Sequence, residues 1–308
     1  MGGWRRTRAV ALALALAVAA IPLAPSRAAL AAFTLGGERS TFPAPTSRTE
    51  TQTFWSAALR REMPYLVYLP AGYGASGRRY PVLYMLHGMS GSDTEWRTYG
   101  LLDAADRMMA DGEIAPFIII MPQGDRAYWM DHAGPDHEAW GTYTARDLVA
   151  EVDSRYRTIR DRSARAIGGD SMGAHGALQL ALNHVDVFSI VGSHSLVLRS
   201  FEQAFPFFGD KAQYAARDPM TIVRTRPDLA VSLRLWIDIG SQDPWAPRAA
   251  LFNTELDRLG IPHAWHEWAG GHSRAYWGAH VCDYLRFYGD SFASADAPLY
   301  FPSGALLP

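Results

Sequence analysis

A single cysteine, Cys282, stands in a chain of 308 residues, so no intramolecular disulfide can form even where the compartment would allow one. Stability has to come from a packed core. Set in the apolar pattern Val281, Leu285 and Phe287, Cys282 reads as a buried small hydrophobe rather than a nucleophile. A membrane span needs about 20 consecutive apolar residues, and the one marked apolar run, Ala9 to Ala20, falls short of that. There is no internal repeat and, beyond the N-terminus, no low-complexity tract. Positive charge is not in excess either: 29 Lys and Arg face 31 Asp and Glu, which gives no electrostatic footprint for nucleic acid. What is present is a composition 48% hydrophobic and 19% charged, ordinary for one large domain with a full core.

The N-terminus reads differently from the rest. Arg5, Arg6 and Arg8 precede the Ala/Leu/Val run, and Ala29 and Ala31 offer a small-residue cleavage site, so residues 1–31 are expected to be a secretory signal, placing the mature protein outside the cytoplasm with no stable membrane span. Its removal takes away four arginines and no acid, leaving 25 basic against 31 acidic side chains. Residues 32–50, rich in Gly, Pro, Ser and Thr between 34 and 50, are expected to be a flexible leader, residues 51–290 the folded domain and residues 291–308 a tail.

Within the domain, β-type stretches at Thr53–Ala58, Tyr65–Leu69, Val82–Leu86, Phe117–Met121, Ala164–Ile167, Phe188–Gly192, Leu233–Ile239 and Ala264–Trp268 alternate with helical spacing at Leu101–Asp111, Thr144–Tyr156 and Ala174–Asn183. Val82–Leu86 and Phe117–Met121 are continuous apolar runs, as expected of strands covered on both faces. This order gives the α/β class, a doubly wound, mostly parallel sheet. Such sheets place functional loops at the carboxyl ends of their strands. Here those loops are His87–Ser92, the turn at Ser171, Gly240–Trp245 and Gly270–Arg274.

The turn is the run Gly168-Gly169-Asp170-Ser171-Met172-Gly173. A serine between Gly169 and Gly173 at a strand-to-helix junction fits a nucleophile elbow, where residues two before and two after must be small. Taken alone the pattern also fits a plain tight turn. A serine hydroxyl needs a base oriented by a carboxylate, and Asp243 followed by His272 supplies the order Ser, acid, His. Asp238 competes for the acid role but lies inside an apolar strand. His184, His263, His266 and His280 occupy helix or strand positions and read as structural. His87-Gly88-Met89 completes the set as the loop that would aim an amide at an oxyanion, the expected donors being the backbone N–H groups of Met89 and Met172.

The segments Leu66–Pro70 with Gly72-Tyr73, Tyr80–Gly88, Val152–Thr158, Gly168–Leu178, Asp238–Asp243 and Gly270–Trp277 together resemble the esterase family that takes in esterase D (S-formylglutathione hydrolase), feruloyl and acetylxylan esterases, enterochelin esterases and the secreted mycolyltransferases. The resemblance covers roughly residues 50–290, with the motifs in the family's order. It implies an α/β-hydrolase fold, Ser171, Asp243 and His272 as catalytic triad, Met89 and Met172 at the oxyanion hole, and no metal or organic cofactor. His175, one helical turn past the serine, departs from many relatives and either lines the pocket or packs beside it.

Substrate contact is expected from His87, Gly88, Trp129, His175 and Trp277. Trp129 belongs to the loop Asp125–Trp140, dense in aromatic and polar groups and expected to border the cleft. The cluster Asp131, His132, Asp136, His137 and Glu138 in that loop matches no metal-ligand spacing. Leu196–Leu229, with Phe201, Phe205, Phe207 and Phe208, is placed as a helical cap insertion. Three functions fit: a secreted carboxylesterase acting on small-molecule or carbohydrate-linked acyl and aryl esters, an acyltransferase using a sugar hydroxyl, and a catalytically silent glycan- or cell-wall-binding protein of the same fold.

Overall fold

The computed structural model describes residues 46–134 and 137–294. The expected signal, the leader up to residue 45, Asp136 and the tail from residue 295 lie outside the described residues. Eight strands form one sheet: β1 (Arg48–Ser56), β2 (Arg61–Leu69), β3 (Val82–Leu86), β4 (Ile118–Pro122), β5 (Arg165–Asp170), β6 (Ile190–His194), β7 (Arg234–Gly240) and β8 (Ala264–Trp268). Their spatial order is β1-β2-β4-β3-β5-β6-β7-β8. β2 runs antiparallel to both its neighbours, and from β4 to β8 every pairing is parallel. Several boundaries differ from expectation. β1 starts at Arg48, inside the stretch read as leader, because its pairing with β2 outweighs its polar composition.

Between β3 and β4 lie α1 (Glu95–Thr98) and α2 (Leu101–Ala110); between β4 and β5, α3 (Trp140–Thr142) continues through a wide turn at Tyr143–Asp147 into α4 (Leu148–Arg155). After β5 comes α5 (Met172–Asn183). α6 (Lys211–Ala215), α7 (Pro219–Thr225) and α8 (Pro227–Val231) lie between β6 and β7, α9 (Ala246–Arg258) follows β7, and α10 (Arg274–Ala293) follows β8, running past the expected domain end at 290.

Because strand side chains alternate, the sheet feeds two cores. On one face Val82, Tyr84, Ile118 and Ile120 meet the apolar sides of α4, α5, α7 and α9 through Val152, Leu178, Val223 and Phe252. On the other, Leu83, Met85, Ile119 and Ala166 meet α2 and α10 through Leu101, Met108, Tyr284 and Leu285. Double coverage explains why β3 and β4 are apolar throughout. Cys282 is only half-buried and its Sγ accepts from Arg107 Nη2 at 3.1 Å, so the expectation of a fully buried cysteine is corrected.

Candidate active site

The carboxyl end of β5 turns into α5 at Ser171, whose φ of 55° and ψ of −113° put a non-glycine residue in a strained conformation that costs about 1–3 kcal/mol. The flanking glycines are required by contact. A Cβ on Gly169 would fall 2.6 Å from the Leu86 carbonyl oxygen and 2.7 Å from the Gly173 carbonyl carbon, and one on Gly173 would fall 2.5 Å from the Leu86 oxygen. Those are backbone atoms, which cannot swing aside. The Ser171 N–H donates to the His194 carbonyl at 3.0 Å, tying the turn to β6.

Two neighbouring loops bring the acid and base to this turn. Asp243 lies three residues past β7 and His272 four past β8, and the loops are fastened together by Ser241 N–H to Trp268 O and Gln242 N–H to Gly270 O, both 2.8 Å. The Asp243 carboxylate is fully buried; Oδ1 accepts from the Trp245 N–H at 2.9 Å and Oδ2 from His272 Nδ1 at 2.7 Å. With its proton fixed on Nδ1, the ring leaves Nε2 to accept from Ser171 Oγ at 2.8 Å. The structure thus brings Ser171, His272 and Asp243 into one hydrogen-bonded line. Trp277 stands edge-on to His272 with ring centres 5.2 Å apart and is pinned by its Nε1 donating to Ser195 Oγ at 3.0 Å.

Beyond β3, the loop His87–Met89 runs beside the serine: a Cβ on Gly88 would lie 3.6 Å from Ser171 Cβ. His87 holds the loop. Its Nε2 accepts from the Gly124 N–H at 2.9 Å, which leaves the proton on Nδ1 to donate to Gly88 O at 2.7 Å. Burial pushes the His87 pKa below its ordinary value, with the Gly88 hydrogen bond acting against that shift. The Gly88 N–H donates to Glu95 Oε1 at 2.6 Å. Met172 opens α5, and the first N–H groups of a helix have no partner within it.

Most of the residues expected to contact substrate also hold structural contacts. His87 is buried with both ring nitrogens engaged by backbone groups, so it fastens two loops together. Trp129 is fully buried, its ring packed over the Cα atoms of Gly124 and Gly176 and its Nε1 donating to His87 O at 3.3 Å. His175 is also buried, set between the carbonyls of Val197 at 3.1 Å and Arg217 at 3.2 Å, and burial lowers its pKa, so one nitrogen donates and the ring ties α5 to the insertion. Gly88 backs onto the Asp170 carboxyl. Of the five, Trp277 is the one whose ring packs against His272.

The aromatic loop after β4 packs against the insertion: Tyr128 contacts Phe205, Phe207 and Phe208, His132 stacks on Phe207 at 4.3 Å, and the Ala133 N–H donates to Phe207 O at 2.8 Å. Two of its acids are satisfied locally, Asp131 by Thr142 and Glu138 by Trp140. Among the described residues no group of three or more His, Cys, Asp or Glu is placed to hold a metal ion, and no helix is long and apolar enough to cross a membrane.

A second imidazole–carboxylate pair was not anticipated. His194, at the end of β6, and Asp238, in β7, are both fully buried, with Nδ1 to Oδ2 at 2.6 Å. Asp238 also accepts from Trp236 Nε1 at 2.9 Å, Tyr276 Oη at 3.0 Å and Tyr284 Oη at 3.1 Å, and His194 Nε2 meets Tyr288 Oη at 3.0 Å. The aromatic hydroxyls come from α10, so the pair anchors the helix that begins two residues after His272. The available signal was Asp238 in an apolar strand, which needs buried donors.

With this geometry established, comparison with known proteins gives concordant results. The family described as "Putative esterase" matches residues 56–288. Esterase Rv1288 of Mycobacterium tuberculosis is 31% identical over 245 residues, covering 67% of this chain and 51% of the relative. An endo-1,4-beta-xylanase/feruloyl esterase of Xylanibacter ruminicola is 32% identical over 147 residues, 46% of this chain and 20% of the relative. The chain therefore spans about half or less of the length of these curated relatives. Among solved structures, a ferulic acid esterase superposes with a TM-score of 0.73 at 27% identity, covering 80% of this chain and 99% of that one. An S-formylglutathione hydrolase from Agrobacterium tumefaciens does so at 0.69 and 19%, over 82% and 98%, which speaks to fold alone. The fold is that of the α/β-hydrolases.

Proposed function

The chain belongs to the Putative esterase family, and from that premise we propose that it is a serine ester hydrolase working through Ser171, His272 and Asp243. The observation that carries this is the unbroken line from Ser171 Oγ to His272 Nε2 at 2.8 Å and from His272 Nδ1 to Asp243 at 2.7 Å, ending on a serine held in a strained turn. His272 takes the Ser171 proton as Oγ attacks the ester carbonyl. The oxyanion forms beside the Gly88–Met89 loop and the start of α5, where the Met89 and Met172 amides receive it. His272 then delivers the proton to the departing alcohol oxygen as the C–O bond breaks, leaving an acyl-serine. Water, deprotonated by His272, releases the acid and restores the serine. Asp243 keeps the His272 proton on Nδ1 throughout and stabilises the imidazolium.

Likeness to a ferulic acid esterase and to a xylanase/feruloyl esterase supports an aryl or acyl ester of a carbohydrate-linked or small alcohol as substrate. The test is turnover of p-nitrophenyl acetate and of feruloylated oligosaccharide by the wild type beside Ser171→Ala and His272→Ala. Turnover that both substitutions abolish is expected; equal rates in all three folded proteins would remove the reading. Acyl transfer to an added sugar in preference to water would replace hydrolysis with the acyltransferase alternative.

A further inference from the structure

Directly before the nucleophile, Asp170 ends β5 with its side chain in the protein interior, 1% exposed. Among the described residues its Oδ1 has no hydrogen-bond partner. Its Oδ2 lies against the oxyanion loop, 2.9 Å from where a Gly88 Cβ would stand, and Glu95 Oε1 lies 3.6 Å from the same point. Glu95 accepts the Gly88 N–H at 2.6 Å and fills the space over Gly91 so closely that any side chain there would collide with it. Two carboxyl groups therefore converge on one loop residue, both within 3.6 Å of the point where a Gly88 Cβ would stand. Two carboxylates crowded together, one of them buried, resist ionising at the same time.

Resting on the hydrolase reading above, we propose that Asp170 and Glu95 form a carboxyl pair sharing one proton, and that this pair is a positioning device holding the Gly88–Met89 loop where the Met89 amide meets the oxyanion. Asp170 is the protonated member and donates to Glu95, whose oxygen can then accept the Gly88 N–H without facing a second negative charge. Burial first, and then the Glu95 carboxylate, hold the Asp170 pKa well above the usual carboxylate range. The titratable groups facing the pair are His87 from the loop itself, Tyr99 from the end of α1, and Tyr284 from α10. As pH rises the shared proton leaves to solvent base, the two charges repel, and the loop loosens.

The experiment combines three readouts on the full chain: protonated-carboxyl absorption by infrared difference spectroscopy at neutral pH, amide exchange at Gly88 and Met89, and the pH dependence of kcat and KM for an aryl acetate. A protonated-carboxyl band is expected in the wild type and absent from Asp170→Asn. Asp170→Ala should speed exchange at both amides and lower kcat by about 10²-fold with KM little changed, the scale of one lost oxyanion donor. Asp170→Asn, which donates to Glu95 but cannot titrate, should recover most of that loss and lack the wild-type fall in kcat at alkaline pH. Glu95→Gln provides a second route if Asp170→Ala does not fold, and should likewise abolish the alkaline fall. No band, unchanged exchange, or an alkaline fall that persists in Asp170→Asn and Glu95→Gln would overturn the proposal. A band and exchange as expected in a wild type without ester turnover would instead refute the hydrolase reading while the shared proton stands.

Discussion

Two imidazole–carboxylate pairs sit at the carboxyl end of the sheet, and they are nearly identical by distance: 2.7 Å for His272–Asp243 and 2.6 Å for His194–Asp238. Their surroundings differ. The Asp243 carboxylate has one further donor, the Trp245 amide, and the His272 side chain is 23% exposed with its far nitrogen on a serine. Asp238 takes three further donors, and His194 is sealed from solvent with its far nitrogen on Tyr288. The hydrogen bond between acid and base is therefore no mark of catalysis. What the far nitrogen faces, and whether a substrate can reach it, separates a base from an anchor.

Substitutions at the two pairs should fail in different currencies. The largest effect is expected from His272→Ala, with kcat for an aryl ester falling by about 10⁶-fold while thermal unfolding stays near the wild-type temperature. Asp243→Asn, which allows the wrong ring tautomer, should cost about 10⁴-fold on the same assay. Asp238→Ala reverses the pattern: it strands His194 and three buried donors and should destabilise the fold by about 3–5 kcal/mol in urea titration, with a far smaller loss of kcat in the folded fraction. A stability loss of that size from Asp243→Ala without a rate loss would erase the distinction.

The smallest expected effect is on pH. His87 is held neutral by burial, its folded pKa below the unfolded value of 6.5. Its contribution to stability is therefore present above pH 6.5 and lost as pH falls through the depressed folded value. Urea titrations across that window should show the wild type weakening on acidification, and His87→Gln, which cannot titrate, should weaken less. An equal slope in both would place the acid sensitivity elsewhere, with His175, also depressed by burial, next in line.

The alternating strands and helices were most legible at β3 and β4, which are buried on both faces and read as apolar runs; Val82–Leu86 and Ala264–Trp268 coincide with β3 and β8. The elbow was legible because Gly169 and Gly173 are dictated by the Leu86 carbonyl, a local demand that leaves a local pattern. The order Ser171, Asp243, His272 was legible for the same reason, each lying just past a strand. Contacts that depend on distant segments left no such trace. β6 extends to His194, beyond the expected end at Gly192, and it is this extension that sets the histidine opposite Asp238. Aromatic density in the loop after β4 suggested a binding surface, but Tyr128 and Trp129 turn inward at φ values of 55° and 57° and their partners, Phe208 and Gly176, come from other elements. Glu95 lies on a helix of four residues, too short for a periodic signal, and its role depends on Asp170 at the end of the neighbouring strand β5.

The central claim is that the pair with the partly exposed His272, and not the sealed one, activates Ser171. Its most direct test is mass mapping of the site labelled by a fluorophosphonate in the wild type, His272→Ala and His194→Gln. The account predicts one adduct, on the peptide containing Ser171, lost in His272→Ala and retained in folded His194→Gln. Labelling of Ser171 that survives the loss of His272 but requires His194, or an adduct on a different residue, would contradict it.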